Sequence, residues 1–337
     1  MKEPVVITEK EYGKGEHFFS EYADSIQWIP CHVDEIAVTR SIEASGARIL
    51  VLGVERYSGS LYPALAGNAG AGPGLIARHG VGFDGINLDL CRKHNIFLTI
   101  TPGSLDRSVA EHVMALLLST ARNIPALDNR MHNDRFNPKT GFELFNKILG
   151  IAGFGNIGKK VALIASKGFG MQVSAYDSLS LAEQAAKERL SSDAFLSNYG
   201  VHEYFTDFDS FIKKVNILTI HLPVNQSTRY YFNSERLGKM NPDSILINTG
   251  RGALVDEKAL YTALSSRRLK AAAIDVFNHE PYEPVSPEYD LRKLPNIILT
   301  PHVASDTFEA NESMQRKVVD NIHLFLEDKH EEMTRVV

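Results

Sequence analysis

The segment at residues 148–158 constrains the fold of this chain more than any other. Five mainly apolar residues at 148–152 indicate a buried strand, and a turn with three glycines, Gly153, Gly155 and Gly158, follows at once. A helical pattern comes next, and Asp177 ends the following apolar run about 20 residues further on. A strand, a GxGxxG turn and a helix, followed at that distance by a carboxylate, are typical of dinucleotide-binding sheets.

Apolar runs that predict strands recur along the chain and alternate with helical patterns, which favours parallel α/β sheets. Four lie in the first hundred residues, at 4–8, 47–52, 74–78 and 96–100. Six more lie at 148–152, 172–176, 217–220, 244–247, 271–274 and 296–299, the count of a full doubly wound dinucleotide-binding sheet. We therefore predict an α/β fold with two doubly wound parallel-sheet domains.

The boundaries of these domains are marked by local signals. Residues 101–103 (Thr-Pro-Gly) break the first series of strands. Ser108 and Glu111 then form a capping-box pattern that predicts the start of a long apolar helix. Residues 125–147 are polar and predict an exposed irregular segment, and the chain from about residue 307 predicts one amphipathic helix.

Composition limits the class of partner and the compartment. The 337 residues carry 36 Lys and Arg against 41 Asp and Glu, a net charge of −5, which argues against nucleic acid or an anionic membrane as the main partner. No apolar run approaches the roughly 18 residues of a membrane span, and the start of the chain lacks a signal-peptide core. The two cysteines, Cys31 and Cys91, form no CxxC pair. We expect a cytoplasmic protein without a metal site.

The glycine turn predicts how a dinucleotide would bind. Gly153 would make the tight turn, Gly155 would let the backbone approach the pyrophosphate, and Gly158 would allow close helix–strand packing. The pyrophosphate would then rest on the first amides of the helix, at Asn156 and Ile157. The alternative is a structural glycine turn.

Asp177 predicts which dinucleotide binds. Its carboxylate would accept hydrogen bonds from the adenosine ribose and repel a 2′-phosphate, and residues 178–180 (Ser-Leu-Ser) offer no arginine to receive one. The sequence therefore favours NAD over NADP. An ordinary polar residue at the end of a strand is the alternative interpretation of Asp177.

Arg251, Glu280 and His302 predict a reaction centre. Arg251 lies between Gly250 and Gly252 directly after an apolar run, at the carboxyl end of a predicted strand, where open α/β sheets bind ligands. Its planar guanidinium suits a carboxylate. Glu280 and His302 follow in turn-like contexts beside prolines and suggest a tuning carboxylate and a proton carrier. A surface ion pair, a turn residue and a loop histidine are the alternative interpretations.

With these motifs the chain resembles the D-isomer-specific 2-hydroxyacid dehydrogenases over essentially its whole length. The resemblance rests on residues 78–84, 108–112, 153–158, 221–223, 248–252, 275–277, 280–281 and 300–302. It implies a Rossmann-type NAD-binding domain of residues 104–304, inserted into a flavodoxin-like substrate domain of residues 1–103 and 305–337. It also implies NAD-dependent interconversion of a 2-oxoacid and a D-2-hydroxyacid.

In this family an arginine, a glutamate and a histidine are catalytic, and the motifs place these roles on Arg251, Glu280 and His302. Arg251 would grip the substrate carboxylate and carbonyl oxygen and stabilise the charge that develops there. His302 would exchange a proton with that oxygen, since imidazole titrates near neutral pH. Glu280 would orient His302 and favour the imidazolium.

The resemblance extends to further contacts. Arg78 and the backbone amides of Gly80, Val81 and Gly82 would bind the substrate, with a plain glycine turn as the alternative for the glycines. Further predicted cofactor contacts are Leu222, Pro223, Thr228, Thr249, Gly250 and Asp275. Asp275 would lie near the nicotinamide carboxamide, with a buried structural carboxylate as the competing interpretation. His221 is as consistent with a solvated loop as with a ligand contact.

Several questions stay open at this stage. The substrate could be pyruvate or lactate, glyoxylate or hydroxypyruvate, or a branched or aromatic 2-oxoacid. The loop at 53–59 could contact the substrate or face solvent. A homodimer is expected, with the region at 104–148 as interface, although its apolar helix could equally be internal packing. Residues 181–205 have no functional interpretation. The rival functions are an NAD(H)-sensing corepressor-like binding protein and a dehydrogenase of a small oxyanion such as phosphite.

Overall fold

The computed structural model describes residues 2–337. The chain divides into two compact units. Unit 1 comprises Met1–Leu105 and Asp306–Val337, and unit 2 comprises Asp106–Ser305. The assignment of substrate binding to one unit and nucleotide binding to the other stays a prediction.

Unit 1 contains one sheet of five parallel strands in the order β2-β1-β3-β4-β5. The strands are β1 Glu3–Thr8, β2 Ile26–Cys31, β3 Ile49–Leu52, β4 Gly74–Arg78 and β5 Ile96–Thr99. This order is that of flavodoxin-like sheets, so the predicted fold class is confirmed for this unit. Strand β2 was missed because it lies at the sheet edge and contains Pro30, a residue typical of edge strands.

Six helices cover this sheet. They are α1 Glu9–Gly13, α2 Glu16–Ser20, α3 Glu35–Ser45, α4 Leu61–Ala69, α5 Leu88–Lys93 and, late in the chain, α14 Phe308–Leu326. Helix α14 begins after Thr307, whose hydroxyl accepts a hydrogen bond from the Ala310 amide at 3.2 Å. It buries Val318, Ile322 and Phe325 in the core of unit 1, which confirms the predicted amphipathic helix.

Unit 2 contains seven parallel strands in the order β12-β11-β10-β9-β6-β7-β8. The strands are β6 Ile148–Ala152, β7 Gln172–Tyr176, β8 Val201–Phe205, β9 Ile217–Ile220, β10 Ile245–Asn248, β11 Ala271–Ile274 and β12 Ile297–Leu299. Numbered from β6, this is the doubly wound order 3-2-1-4-5-6 with one strand added beyond the sixth. The predicted Rossmann-type sheet is confirmed.

Strand β8 is the strand that the sequence did not predict in unit 2. It is an edge strand in which only Val201 is buried, so its residues form no apolar run. It ends the segment at 181–205, whose earlier part forms helices α9 and α10. Residues 181–205 therefore form two helices followed by an edge strand of the sheet.

The helices of unit 2 are α6 Asp106–Arg122, α7 Ile124–His132, α8 Asn156–Leu163, α9 Leu181–Lys187, α10 Ser192–Tyr199, α11 Phe208–Ile212, α12 Ser234–Gly238 and α13 Glu257–Ser265. The predicted start of α6 is wrong: it begins at Asp106, and Glu111 pairs with Arg107 one turn earlier instead of closing a capping box on Ser108. Helix α7 occupies part of the segment predicted to be irregular. Across residues 2–337, no helix combines the length and the apolar character that crossing a bilayer requires.

Candidate active site

The glycine turn after β6 has two crowded positions and one open position. Gly153 has a φ of 97°, and a Cβ on it would lie 2.6 Å from the carbonyl of His221. A Cβ on Gly158 would lie 2.4 Å from the Gly153 carbonyl oxygen, because helix and strand approach closely there. A Cβ on Gly155 would meet nothing within 4 Å. Packing therefore explains two of the glycines, and the third leaves the backbone approachable by a ligand.

Helix α8 begins at Asn156, and Gly155 precedes it without a side chain that caps the helix. The first amides of the helix, including those of Asn156 and Ile157, point away from the helix body and lack intrahelical partners. Together with the open position at Gly155, these amides fit the pyrophosphate of a dinucleotide.

Asp177 follows β7 and lies against the glycine turn. Its carboxylate accepts hydrogen bonds from the Phe154 amide at 2.8 Å and from the Leu179 amide at 3.0 Å. The nearby capping carboxylate of Glu183, bound to Ser180 at the start of α9, adds a second negative charge. Asp177 thus fixes the turn, and its predicted contact with a ribose stays a prediction.

The segment at 181–205 supports the same turn through aromatic packing. Phe154 is fully buried, and its ring meets those of Phe195, Tyr199 and Tyr204 edge-on at centroid distances of 5.9, 6.0 and 6.1 Å. Edge-to-face pairs of this kind stabilise beyond their buried area by about 1 kcal/mol each. Residues 181–205, for which the sequence suggested no function, therefore pack around Phe154, the second residue of the glycine turn.

His221 follows β9 and does not lie in a solvated loop. Its amide donates to the Ala152 carbonyl at 2.7 Å, and its ring Nε2 lies 2.9 Å from the Thr219 hydroxyl. Burial lowers the pKa of His221 to about 3, so the ring is neutral. Downstream, the Thr228 hydroxyl donates to the Pro223 carbonyl at 2.6 Å and closes that loop. Cofactor contacts of Leu222, Pro223 and Thr228 stay predictions.

Arg251 follows β10 and is held by a residue that the sequence did not single out. The buried Asn248 donates from Nδ2 to the Arg251 carbonyl at 2.9 Å and accepts from the Gly250 amide at 3.1 Å. A polar residue ending an otherwise apolar strand was the available signal. Thr249, between Asn248 and Gly250, is buried, and its hydroxyl has no hydrogen-bond partner within residues 2–337. An orphaned buried hydroxyl at this strand end fits a contact with a bound cofactor.

Gly252 brings the Arg251 turn against the segment that carries Glu280. Neither Gly250 nor Gly252 has a positive φ, so backbone conformation does not explain these glycines. A Cβ on Gly252 would instead lie 1.9 Å from the carbonyl carbon of Phe277 and 2.4 Å from the amide nitrogen of Asn278. Only glycine permits this approach of two backbones.

Glu280 and His302 form a hydrogen-bonded pair. His302 Nδ1 lies 2.7 Å from Glu280 Oε2, and the Phe277 amide donates to Glu280 Oε1 at 2.9 Å. Burial opposes ionisation of Glu280, but the hydrogen bond and charge of His302, with a smaller effect of Arg251, outweigh it and lower the pKa of this carboxyl. A charged carboxylate requires His302 Nδ1 to carry its proton and donate. Nε2 is then the ring atom that can exchange a proton.

The backbone at His302 is held in a left-handed conformation, with a φ of 54°. Asp275, fully buried at the end of β11, accepts the His302 amide at its carbonyl oxygen at 2.8 Å. Its carboxylate accepts the amides of Val303 and Ala304 at 3.0 and 2.9 Å. These contacts agree with a buried structural carboxylate; a nicotinamide contact of Asp275 stays a prediction.

In unit 1, Arg78 is buried and directs its guanidinium at its own turn. Nε donates to the Gly82 carbonyl at 2.9 Å, and Nη1 donates to the His79 carbonyl. Gly80 has a φ of 138°, and a Cβ on it would lie 2.6 Å from Arg78 Nη1. Arg78 therefore holds the turn that presents the amides of Gly80, Val81 and Gly82.

The loop at 53–59 is divided between core and solvent. Tyr57 is buried, and its hydroxyl donates to the Val33 carbonyl at 2.9 Å. Val54 and Arg56 are exposed. The ring of Tyr57 belongs to the core of unit 1, so within this loop it is not among the residues that face solvent.

Arg251, Glu280 and His302 thus follow three neighbouring parallel strands, β10, β11 and β12, of a sheet whose glycine turn fits a dinucleotide. This arrangement defines the class: an oxidoreductase with a dinucleotide-binding sheet and a carboxylate–histidine pair at its carboxyl edge.

Comparison with known proteins specifies the class further. Residues 114–304 match the family model "D-isomer specific 2-hydroxyacid dehydrogenase, NAD binding domain". The chain is 35% identical over 260 residues to a glyoxylate reductase of Pyrococcus furiosus, which covers 74% of this chain and 72% of the relative.

Solved structures agree. A D-lactate dehydrogenase of Aquifex aeolicus complexed with NAD and lactic acid matches with a TM-score of 0.82 and 26% identity, covering 99% of both chains. An NADPH-dependent glyoxylate/hydroxypyruvate reductase of Sinorhizobium meliloti, in complex with NADP and malonate, matches with a TM-score of 0.79 and 26% identity, covering 97% of this chain and 94% of that one.

The chain belongs to the D-isomer-specific 2-hydroxyacid dehydrogenase family, which confirms the resemblance seen in its motifs. It is an oxidoreductase that acts on the CH–OH group of 2-hydroxyacids and uses a nicotinamide cofactor.

Proposed function

We propose that this protein interconverts a 2-oxoacid and a D-2-hydroxyacid with NAD, and that Arg251, Glu280 and His302 are its catalytic residues. The hydrogen bond of 2.7 Å between Glu280 and His302, on the segments that follow β11 and β12, carries the proposal. A carboxylate that fixes the Nδ1 proton leaves Nε2 as the acid or base, which is the arrangement that proton transfer to a carbonyl oxygen requires.

The bound nicotinamide supplies or accepts the hydride at C2 of the substrate. Arg251 binds the substrate carboxylate and stabilises negative charge on the adjacent oxygen. His302 gives its Nε2 proton to that oxygen during reduction and takes it back during oxidation. Glu280 keeps the ring oriented and favours its charged form. Asn248 and Gly252 position the turn that carries Arg251.

In unit 1, the amides of Gly80, Val81 and Gly82 are proposed to bind the substrate carboxylate. The buried guanidinium of Arg78 supports this role because it stabilises a turn with a positive φ at Gly80. Backbone amides held rigidly in such a turn offer a concave anion site.

Glyoxylate and hydroxypyruvate are the first substrates to test, since relatives carry these names, and pyruvate follows from the D-lactate dehydrogenase. Consumption of NADH would be measured against these and against branched and aromatic 2-oxoacids. Arg251→Gln is expected to lower turnover about 100- to 1000-fold, the typical loss of one charge-stabilising donor. Arg107→Gln, a change at an exposed arginine in the same unit, is the control and should act like the wild type.

Unchanged turnover of Arg251→Gln would contradict the proposal. Silence of the wild type on every 2-oxoacid, with NADH binding intact, would instead favour the corepressor-like protein or the small-oxyanion dehydrogenase. Both rivals are disfavoured by the family membership and by the assembled residues Arg251, Glu280 and His302.

We propose NAD rather than NADP because the segment after β7 is acidic. Asp177 and Glu183 both carry carboxylates there, and residues 178–180 hold no cation. The wild type is expected to have a higher kcat/KM with NADH than with NADPH. Ser178→Arg should raise kcat/KM with NADPH, while Ser178→Ala is the matched control. A wild type that prefers NADPH would refute the proposal.

A homodimer is proposed through helix α7 and the segment that follows it. The apolar face of α6 packs inside unit 2, so that helix itself is internal. Four large apolar side chains nearby remain exposed: Ile124 at 52%, Met131 at 56%, Phe136 at 87% and Phe145 at 65%. Exposed apolar patches are typical of interfaces. Light scattering should give a dimer mass for the wild type and a monomer for Met131→Glu with Phe136→Glu; a wild-type monomer would refute it.

A cytoplasmic location is proposed on the state of the cysteines. Cys31 and Cys91 are both buried and unpaired, and burial raises the pKa of each thiol to about 11. Free thiols of this kind suit a reducing compartment.

A further inference from the structure

The motif at residues 108–112 contains a histidine, His112, to which the reaction assigns no role. His112 lies on α6, and its ring faces the ends of strands β11 and β12. Its Nε2 atom lies 3.6 Å from Asp275 Oδ1 and 3.3 Å from the Thr300 hydroxyl. The imidazole is therefore within reach of Asp275 and Thr300, and Thr300 lies two residues before His302.

Asp275 depends on such partners because it is fully buried. Burial opposes its ionisation, but the nearby His112 ring and the hydrogen bonds from Thr300, Val303 and Ala304 outweigh that effect and hold the pKa of Asp275 below its ordinary value. His112 places a basic side chain within ion-pair distance of this carboxylate. A buried charge left without a partner is strongly destabilising, so we expect the contact between His112 and Asp275 to stabilise this region.

The same carboxylate leads directly to His302. The Thr300 hydroxyl donates to Asp275 Oδ1 at 2.6 Å, and the amide of Val303 donates to the same oxygen. His302 lies between these two residues in a left-handed conformation that a non-glycine residue adopts only at a cost of about 1–3 kcal/mol. This conformation is retained because Asp275 and Thr300 fix the turn through several hydrogen bonds.

We infer that His112 is a positioning residue for His302. Through Asp275 and Thr300 it fixes the left-handed turn that places the His302 ring on Glu280. It touches neither substrate nor the reacting atoms, and its role is to keep the Nδ1–Oε2 hydrogen bond formed. The inference rests on the proposed proton transfer by His302 and adds a residue from α6 to it.

The test compares His112→Gln with His112→Asn. The amide of glutamine reaches the position of imidazole Nε2 and keeps a donor for Asp275 and Thr300, whereas that of asparagine ends near Nδ1 and loses it. We expect His112→Asn to lower kcat about 10- to 100-fold, the effect of a displacement of the order of 1 Å, with KM for NADH and for the 2-oxoacid nearly unchanged. His112→Gln should recover most of the activity. Glu111→Ala, exposed on the same helix, is the control.

A second measurement reports on the pair itself. The proton between His302 and Glu280 gives a downfield nuclear magnetic resonance signal that should be present in the wild type, weaken in His112→Asn and return in His112→Gln. It is read without turnover, so it tests the inference even where the proposed reaction fails. Melting temperatures distinguish a variant that has lost stability from one in which only the His302 ring is misplaced.

Two outcomes would overturn the inference. If kcat and the downfield signal of His112→Asn equal those of the wild type, His112 does not act on His302. If KM for NADH rises while kcat and the signal persist, His112 serves cofactor binding through Asp275 instead.

Discussion

Replacing Gly252 by alanine tests whether the close approach of two backbones sets the geometry of the site. The added Cβ would lie 1.9 Å from the Phe277 carbonyl carbon, 2.2 Å from its oxygen and 2.4 Å from the Asn278 nitrogen. All three are backbone atoms, so no side chain can rotate away. Carbon atoms in contact prefer separations of about 3.5–4.0 Å, so the two segments must move apart by more than about 1 Å.

That movement separates Arg251 from Glu280, because one lies directly before Gly252 and the other three residues after Phe277. A misplacement of about 1 Å costs roughly 100-fold in rate. Overpacking of a closely packed position costs about 1–3 kcal/mol of unfolding free energy. We therefore expect Gly252→Ala to lower kcat about 100-fold and to lower the melting temperature by several degrees.

Steady-state kinetics at saturating NADH and 2-oxoacid, with thermal unfolding of the free protein, measure both effects. Gly238→Ala is the matched control, since a Cβ there meets nothing within 4 Å in helix α12. The reasoning is refuted by a Gly252→Ala protein whose kcat and melting temperature equal those of the wild type. A loss of stability with full kcat would show that the two segments adjust without moving Arg251.

Three further changes probe other parts of the site. Gly155→Ala should raise KM for NADH at least about tenfold while the melting temperature changes little, because its Cβ meets open space until a ligand approaches; equal KM would contradict it. Glu280→Gln removes the negative charge beside His302 Nδ1 and should lower kcat for 2-oxoacid reduction at least about tenfold, because it weakens a charge-assisted hydrogen bond of about 1.5–3 kcal/mol; an unchanged kcat would contradict it. Asn248→Ala removes both hydrogen bonds that the Asn248 side chain makes to the Arg251 turn and should lower kcat about tenfold in the same assay, with unchanged kcat as the contrary result.

The strands that the sequence predicted are mainly apolar runs, and several of them are buried on both faces. Strands β3, β4, β6, β9 and β10 are continuous apolar runs because helices cover both sides of a parallel sheet. The edge strands β2 and β8 were missed because polar residues or a proline interrupt them, Gln27 and Pro30 in β2 and His202 and Glu203 in β8, whereas the edge strands β5 and β12 are apolar runs and were predicted. The start of α6 was misplaced because Glu111 pairs with Arg107, a contact as compatible with the sequence as a capping box.

The candidate residues could be predicted because each follows a strand, whereas their supports could not. His112 and the aromatic cluster around Phe154 act through contacts between residues far apart in the chain, so the sequence could not assign their roles. Asn248 acts locally, three residues before Arg251, and its polar side chain at the end of an apolar strand was the available signal. For the loop at 53–59 the sequence left contact with the substrate and exposure to solvent open. Tyr57 lies instead in the core of unit 1, because a hydroxyl that reaches the Val33 carbonyl can be buried without loss.

The order of the strands explains why three residues so far apart in the chain meet. Strands β10, β11 and β12 are parallel neighbours, so their carboxyl ends lie at one edge of the sheet, about 4.8 Å apart from strand to strand. Arg251, Glu280 and His302 follow these ends in turn, each delivered by one crossover. The Glu280–His302 hydrogen bond therefore joins two segments of unit 2. A proton carrier oriented in advance loses no reorganisation energy at the moment of reaction, which is the physical reason for building it on rigid strand ends.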